Sequence, residues 1–325
     1  MKAQRMPRIL GVGAMTVAGY DATSSAFVAR SGGVDTEELG PVDQEQRPIH
    51  GRRVAALSRD LAGIDRLVAL AAGALVEAAA SFPGQRIPLF LALAEPTRPD
   101  AASIDDGAMI ERLAAASGVP LDRAMSRVVR VGRAGGAWAL EAALAQARAG
   151  MYALAGGIDS LIGPATLSFL DGEERLATLD RDGVSPSEAS AFILVGPSDA
   201  ADRTALCDAR YLYQAEARAE ARALLAASSA SGPTWLLADL DGLPERAVEL
   251  ADDLIVTRMT ETAVRDELSF LYGEVGAAAF PLLAVHADVA CRLGFAPAKR
   301  AIVRAGGLTG EGLGIAVLES GADHA

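Results

Sequence analysis

The sequence predicts an α/β protein built from two similar βαβ-rich halves, and three observations predict it. Short apolar runs of strand length alternate with segments of helical period along most of the 325 residues. A chain of this length has enough residues for two units that each bury a core. The alternation restarts after Gly196-Pro197-Ser198-Asp199, which divides the chain into 1–198 and 199–325. Strands that alternate with helices in this way imply parallel βαβ units.

The elements follow in order. Arg8–Val12 reads as a short buried strand, and Asp21-Ala22-Thr23-Ser24-Ser25 as a helix start rich in capping residues. Gly32 to Gly51 is charged, proline-containing and aperiodic, which predicts a long loop. Leu61–Ala79 repeats apolar residues at helical spacing, with Asp65 and Arg66 on the other face. Pro88–Leu93 is a continuous apolar strand, Ile104–Ser117 a helix, and Arg127–Val131 a β-branched strand. Gly135–Arg148 is an alanine-rich helix, Met151–Ala155 a strand ending at Gly156-Gly157, and Phe192–Val195 closes this half. In the second half, Ala205–Tyr213 reads as a strand, Ala215–Ala227 as a helix, Trp235–Ala238 as a strand and Glu245–Asp253 as a helix. Val275–Leu293 is a long apolar helix, and Ala301–Arg304 and Ile315–Leu318 are the last strands. No short-period repeat is present.

Composition narrows the function. Hydrophobic residues make up 51 % of the chain but aromatics only 5 %, so the core is expected to be rich in Ala, Leu and Val. The formal charge of −12 disfavours nucleic acid and anionic membranes, which need basic surfaces. Cys207 and Cys291 are far apart and there are three histidines, so neither a disulfide framework nor a metal site is expected. The basic stretch before Gly11 and Gly13 is followed by an apolar run too short for a membrane span, and a cytoplasmic protein is the simplest expectation.

Three stretches fall in an order that resembles the landmarks of the thiolase-like β-ketoacyl-carrier-protein synthases. They are Ala155-Gly156-Gly157-Ile158-Asp159-Ser160, Asp182-Gly183 with Glu188-Ala189-Ser190-Ala191, and Tyr272-Gly273-Glu274-Val275-Gly276-Ala277-Ala278-Ala279. Ile9–Gly19 resembles the opening strand and turn of that family. Its Gly11 and Gly13 also fit the start of a dinucleotide fingerprint, but Thr16 stands where the third glycine belongs. The resemblance spans residues 8 to 318 and implies the thiolase fold, two similar halves packed as α-β-α-β-α layers. Within the superfamily the chain looks most similar to the catalytically degenerate synthase-like proteins encoded beside type VI secretion effectors and adaptors. Ala92-Leu93-Ala94-Glu95-Pro96 and Glu174-Arg175-Leu176 add to that finer resemblance.

The resemblance also marks where the catalytic residues of the family would fall. A nucleophilic cysteine would sit at the turn before Gly135–Arg148, where unpaired N–H groups and the helix dipole lower its pKa. Gly132 or Arg133 occupies that turn, neither can be acylated, and Arg133 places a cation at a helix end that prefers anions. The first histidine of the family would follow the Trp235–Ala238 strand, where this chain has Asp241-Gly242-Leu243. The second would fall on or next to Glu274, and an ionised carboxylate there repels a developing enolate. No catalytic residue, cofactor or metal is therefore expected, although Asp241 and Glu274 facing one cavity would form a carboxylate pair suited to acid/base work.

Other residues read more simply. His286 and Cys291 are five apart on one helix, a rotation of about 140°, so they share no face. His50 and His324 are expected to be solvated, the two cysteines to be small buried hydrophobes, and Ser24 and Ser25 to serve capping. Asp159 and Glu188 are expected to accept backbone N–H groups in their glycine-rich turns. Gly306-Gly307 with Gly310 and Gly312 resemble the glycine-rich loop at the family's active-site floor. The primary expectation is a non-condensing homodimer that acts as an accessory, adaptor or scaffold for a secretion effector, pairing through Arg127–Val131. The alternatives are a chain-length-factor-like partner of an active ketosynthase, with acyl carrier protein nearby, and a repurposed acyltransferase or hydrolase using Asp241 and Glu274.

Overall fold

A computed structural model describes residues 5–82, 85–178, 180–213, 217–267, 269–307 and 312–321. The first half runs β1 (Met6–Thr16), α1 (Ala22–Arg30), β2 (Glu37–Val42), β3 (Pro48–Gly51), α2 (Gly63–Ala79), β4 (Leu89–Leu93) and α3 (Asp106–Ser117). It continues with β5 (Arg127–Arg130), a single 3-10 turn at Gly132–Ala134, α4 (Gly135–Arg148), β6 (Ala153–Ser160), α5 (Pro164–Gly172) and β7 (Glu188–Ser198). The second runs β8 (Ala205–Leu212), α6 (Ala217–Ser229), β9 (Thr234–Ala238), α7 (Pro244–Val256), β10 (Ala263–Glu267) and α8 (Ser269–Tyr272). A 3-10 turn at Gly276–Ala278, α9 (Ala279–Arg292), β11 (Arg300–Gly307) and β12 (Gly312–Glu319) complete it.

Ten strands form one sheet in the order β10-β9-β11-β12-β8-β1-β7-β6-β4-β5. Read outward from the junction, the two wings are alike. In one, β1 is antiparallel to β7, β7 to β6, and β6, β4 and β5 are mutually parallel. In the other, β8 is antiparallel to β12, β12 to β11, and β11, β9 and β10 are parallel. The wings meet where Arg8 of β1 pairs with Ala205 of β8. The sheet is therefore mixed, where the alternation of strands and helices alone predicts parallel units.

Hydrophobic burial sorts the helices into layers. α4 and α9 lie between the wings, because α4 contacts both β6 and β8 and α9 contacts both β7 and β11. Their core is small and aliphatic, built from residues such as Ala137, Leu140, Ala284 and Val289. Small residues let the two helices approach closely: a Cβ at Gly136 would overlap the Pro281 ring. α2 and α3 cover the outer face of the first wing with an apolar stripe that includes Leu70, Leu75 and Leu113. α6 and α7 cover the second with Ala221, Leu225, Leu250 and Leu254. This is the α-β-α-β-α stack.

Several elements differ from the sequence reading. Gly32 to Gly51 contains the β2–β3 hairpin, and α5, β10 and α8 carry too weak a period to be read in advance. β6 runs through Gly156 and Gly157 instead of ending there, paired with β7 as far as Ser160, and glycine is needed at both because a Cβ would strike Phe192 at the first and the Ala277 carbonyl at the second. The long apolar stretch after Glu274 opens with a 3-10 turn before α9 starts. Arg66 is buried instead of solvated. Asp21, not Ser24 or Ser25, caps α1 by accepting the Ser24 N–H at 2.8 Å. His324 and Gly310 lie outside the described residues. Among the described residues no helix is long and apolar enough to cross a membrane.

Candidate functional site

Two turn–helix units of matching backbone geometry meet at the centre of the molecule, the first entered from β5 and the second from α8. Each turn starts at a glycine with positive φ, +64° at Gly132 and +51° at Gly276. Each glycine follows a valine held near ψ ≈ 20°: Val131 has φ −131° and ψ 23°, and Val275 has φ −117° and ψ 16°. The chain then makes one 3-10 turn and enters α4 or α9. Only a residue without a Cβ takes this φ freely, which explains the glycine in both units. The two 3-10 turns touch one another.

Arg133 projects from the first turn and is buried. Its Nη1 lies 2.6 Å from Asp241 Oδ2, and its Nε donates to Glu274 Oε1 at 2.8 Å. All the expected family positions, Gly132, Arg133, Asp241 and Glu274, thus meet at one point, although they come from distant stretches of sequence. Glu274 also accepts the Gly276 N–H at 2.7 Å, and Asp241 the Leu243 N–H at 3.2 Å. The cation at the start of α4 is therefore held by two carboxylates, which offsets its conflict with the helix dipole.

Two further buried residues extend the cluster. Arg246, in the first turn of α7, donates to Asp239 Oδ1 at 2.8 Å and to the Gly306 carbonyl at 3.0 Å. Its Nη1 is 3.2 Å from Asp241 Oδ2, an ion contact without hydrogen-bond geometry. Asp239 Oδ2 accepts the Gly306 N–H at 3.0 Å. Three carboxylates thus face two guanidiniums, and burial pushes the Asp239 carboxyl well above its usual range. Asp241 is also raised, chiefly by burial, with Arg133 opposing the rise and Glu274 adding to it. Charge balances when the cluster retains one proton.

This arrangement has little capacity for acyl chemistry. Gly132 has no side chain, and the guanidinium of Arg133 is a permanent donor that cannot attack a thioester. Asp241 and Glu274 do meet, but as the two carboxylates paired with Arg133 and not as a free acid/base pair. A cavity of about 20 Å³ beside Asp239, Glu274 and Leu282 has room for roughly one water. Another of about 80 Å³ lies between Arg52, Asp241 and Phe270.

The remaining candidates lie elsewhere. Burial lowers His286 to a pKa of about 4, and its ring packs 5.8 Å from Trp235 and 6.3 Å from Phe295. Burial pushes both thiols up to about 11; Cys207, partly exposed in β8, meets Glu319, and Cys291 is buried in α9. Asp159 accepts the Ala277 N–H at 2.9 Å and Glu188 the Val54 N–H at 2.9 Å, backbone donors from distant segments instead of from the glycine-rich turns they follow. Each also holds a buried arginine, Arg98 and Arg66 respectively. His50 is exposed. Among the described residues no group of His, Cys, Asp and Glu is placed to hold a metal ion. Sequence reasoning missed Asp239 and Arg246; the available signal was an acidic pair after a buried strand followed by an arginine in the next helix turn.

No protein-family model and no curated protein matches the chain. Solved structures do. A chain of the AntDE:AntF assembly, described as a type II polyketide acyl-carrier protein in complex with its ketosynthase, is similar at a TM-score of 0.79 and 16 % identity, covering 98 % of this chain and all (100 %) of that one. A chain of the ishigamide ketosynthase/chain length factor gives 0.79 and 14 %, with coverage of 98 % and 100 %. A chain of the ketosynthase ApeO in complex with its chain length factor ApeC, from Xenorhabdus doucetiae, gives 0.76 and 14 %, with coverage of 98 % and 99 %. The chain has the thiolase-like ketosynthase fold.

Proposed function

We propose that this protein is a ketosynthase-fold subunit without condensing activity that works by pairing with an active ketosynthase, in the manner of a chain length factor. The observation that carries the reading is Arg133 locked between Asp241 and Glu274 at the point where the resemblance expects a cysteine and two histidines. A buried cation paired with two carboxylates fills the space a thioester would need and supplies no nucleophile. The similarity to ketosynthase and chain-length-factor assemblies supports this partner over the secretion effector that the finer sequence resemblance implied.

The sheet edge supports a partner that is not a second copy. Among the described residues β5 ends the sheet and pairs only with β4, which leaves its outer edge open to another strand. Its sequence is Arg127-Val128-Val129-Arg130. If two copies paired antiparallel about the Val128–Val129 step, Arg127 of each strand would stand opposite Arg130 of the other, and opposed like charges destabilise a ladder. A ketosynthase whose edge strand lacks those charges fits better.

Two measurements test the proposal. Co-expression with the ketosynthase of the same host, followed by native mass spectrometry, is expected to give a one-to-one heterodimer. A stable homodimer that ignores the ketosynthase refutes the pairing. Incubation with acyl-thioesters and intact-mass measurement is expected to give neither adduct nor thioester loss. Thioester loss without an adduct would favour hydrolysis through Asp241 and Glu274, and a stable adduct would overturn the non-catalytic reading.

A further inference from the structure

A cavity of about 410 Å³ opens where the start of α2 faces the loops after β4 and β6. None of the five cluster residues lines it. Arg53, Arg59, Arg66 and Arg98 line it against two acids, Asp100 and Asp159. Two of these arginines are matched within the protein. Arg66 forms a two-pronged pair with Glu188, both contacts at 2.6 Å, and Arg98 a two-pronged pair with Asp159.

The other two share one carboxylate. Arg53 and Arg59 each reach Glu37 at 3.3 Å, which leaves one guanidinium in excess at the mouth. Among the described residues no ion pair joins Asp100 to them; its carboxylate accepts the Thr166 N–H at 2.9 Å in the first turn of α5. With Glu37, Glu188 and Asp159 it balances the four arginines overall, so the positive bias is local to the mouth. The start of α2 adds to the positive potential. α2 has 17 residues and starts at Ala62 and Gly63, which line the cavity, with no side chain capping its first N–H groups. α5 also starts in the wall, at Gly163 and Pro164, but the Asp100 carboxylate already occupies its first turn.

An independent observation points the same way. Arg98 is only 6 % exposed, and its Nε–H has no acceptor among the described residues. Buried donors of this kind are rare without a partner. The rest of the wall is apolar, including Leu67, Ile104 and Ile162.

We propose that this cavity binds a small amphiphilic anion. Its carboxylate or phosphate head meets Arg53, Arg59 and the open start of α2, and its short apolar body lies against Leu67, Ile104 and Ile162. A carboxylate and a phosphate monoester share this chemistry, since both accept from guanidinium and from helix N–H groups. The site does not depend on the pairing proposed above.

The test is isothermal titration of the full chain with octanoate, octyl phosphate, the neutral isostere octanamide, and inorganic phosphate. At least one of the two amphiphilic anions is expected to bind about tenfold or more tighter than octanamide, the loss of one charge-assisted contact. The tighter of the two identifies the head. Arg59 is 75 % exposed and the Arg53 side chain 13 % exposed, so R59Q is made beside R53Q/R59Q, and the double variant, its fold checked by circular dichroism, is expected to bind that anion about tenfold more weakly. Equal binding of octanamide, unchanged binding in R53Q/R59Q, or no binding of either anion overturns the proposal. Inorganic phosphate binding as tightly as octyl phosphate overturns its apolar half.

Discussion

Replacing Arg133 with methionine isolates the energetics of the central cluster. The side chain keeps an unbranched apolar stem and loses its charged head, leaving Asp239, Asp241 and Glu274 facing Arg246 alone. Breaking a buried ion pair by removing one partner costs about 3–5 kcal/mol, and here one cation serves two carboxylates at 2.6 and 2.8 Å. The pH dependence gives the sharper signature. In the native protein burial raises the Asp239 and Asp241 carboxyls, so the folded state retains protons that the unfolded chain releases. Their contribution to stability is present at low pH and is lost as pH rises from about 4 through the raised values. Arg133 opposes the rise at Asp241, so its removal moves that carboxyl further up and extends the loss to higher pH. Urea denaturation followed by tryptophan fluorescence between about pH 5 and pH 8 should show the deficit of R133M growing with pH, reaching about 3 kcal/mol or more at the upper end. Adding Glu274→Gln to R133M should recover part of it. A deficit below about 1 kcal/mol that is flat with pH would refute the view of the cluster as a mutually dependent charge network.

Three further outcomes follow from the geometry. Gly157→Ala drives a methyl group into the Ala277 carbonyl and should destabilise by about 1–3 kcal/mol or more, whereas Gly172→Ala, with open space around it, should be near neutral by the same denaturation measurement. With both thiols raised to about 11, iodoacetamide at neutral pH should leave Cys291 unlabelled and modify Cys207 only slowly in the folded protein; rapid alkylation of either would indicate an activated thiolate. His286, lowered to about 4 by burial, should show imidazole NMR shifts that stay flat from neutral pH down to about pH 5. The stability it supplies is full above about 6.5 and is lost as pH falls toward 4, opposite in sign to the aspartates.

The amino-acid sequence by itself determined the succession of strands and helices, because periodicity and glycine-marked turns are local properties. The α4 boundaries and the buried strands β4, β9 and β11 were legible for that reason, and so was the absence of a cysteine or histidine from the turn at Gly132 and Arg133. It also brought Asp241 and Glu274 forward as residues of interest, through the order of the motifs around them. Tertiary structure alone decided what those residues do. Arg133 and Glu274 are separated by 141 positions, and no local pattern reports that one side chain neutralises the other. Arg66 lies on a helix whose composition suggests a solvated charge, yet Glu188, 122 positions away, makes it a core residue. The direction of each strand, the like topology of the two wings and the charge excess at the Arg53–Arg59 mouth likewise arise from pairings across the fold. Coulombic and hydrogen-bond partners are set by distance in space, which sequence spacing does not encode.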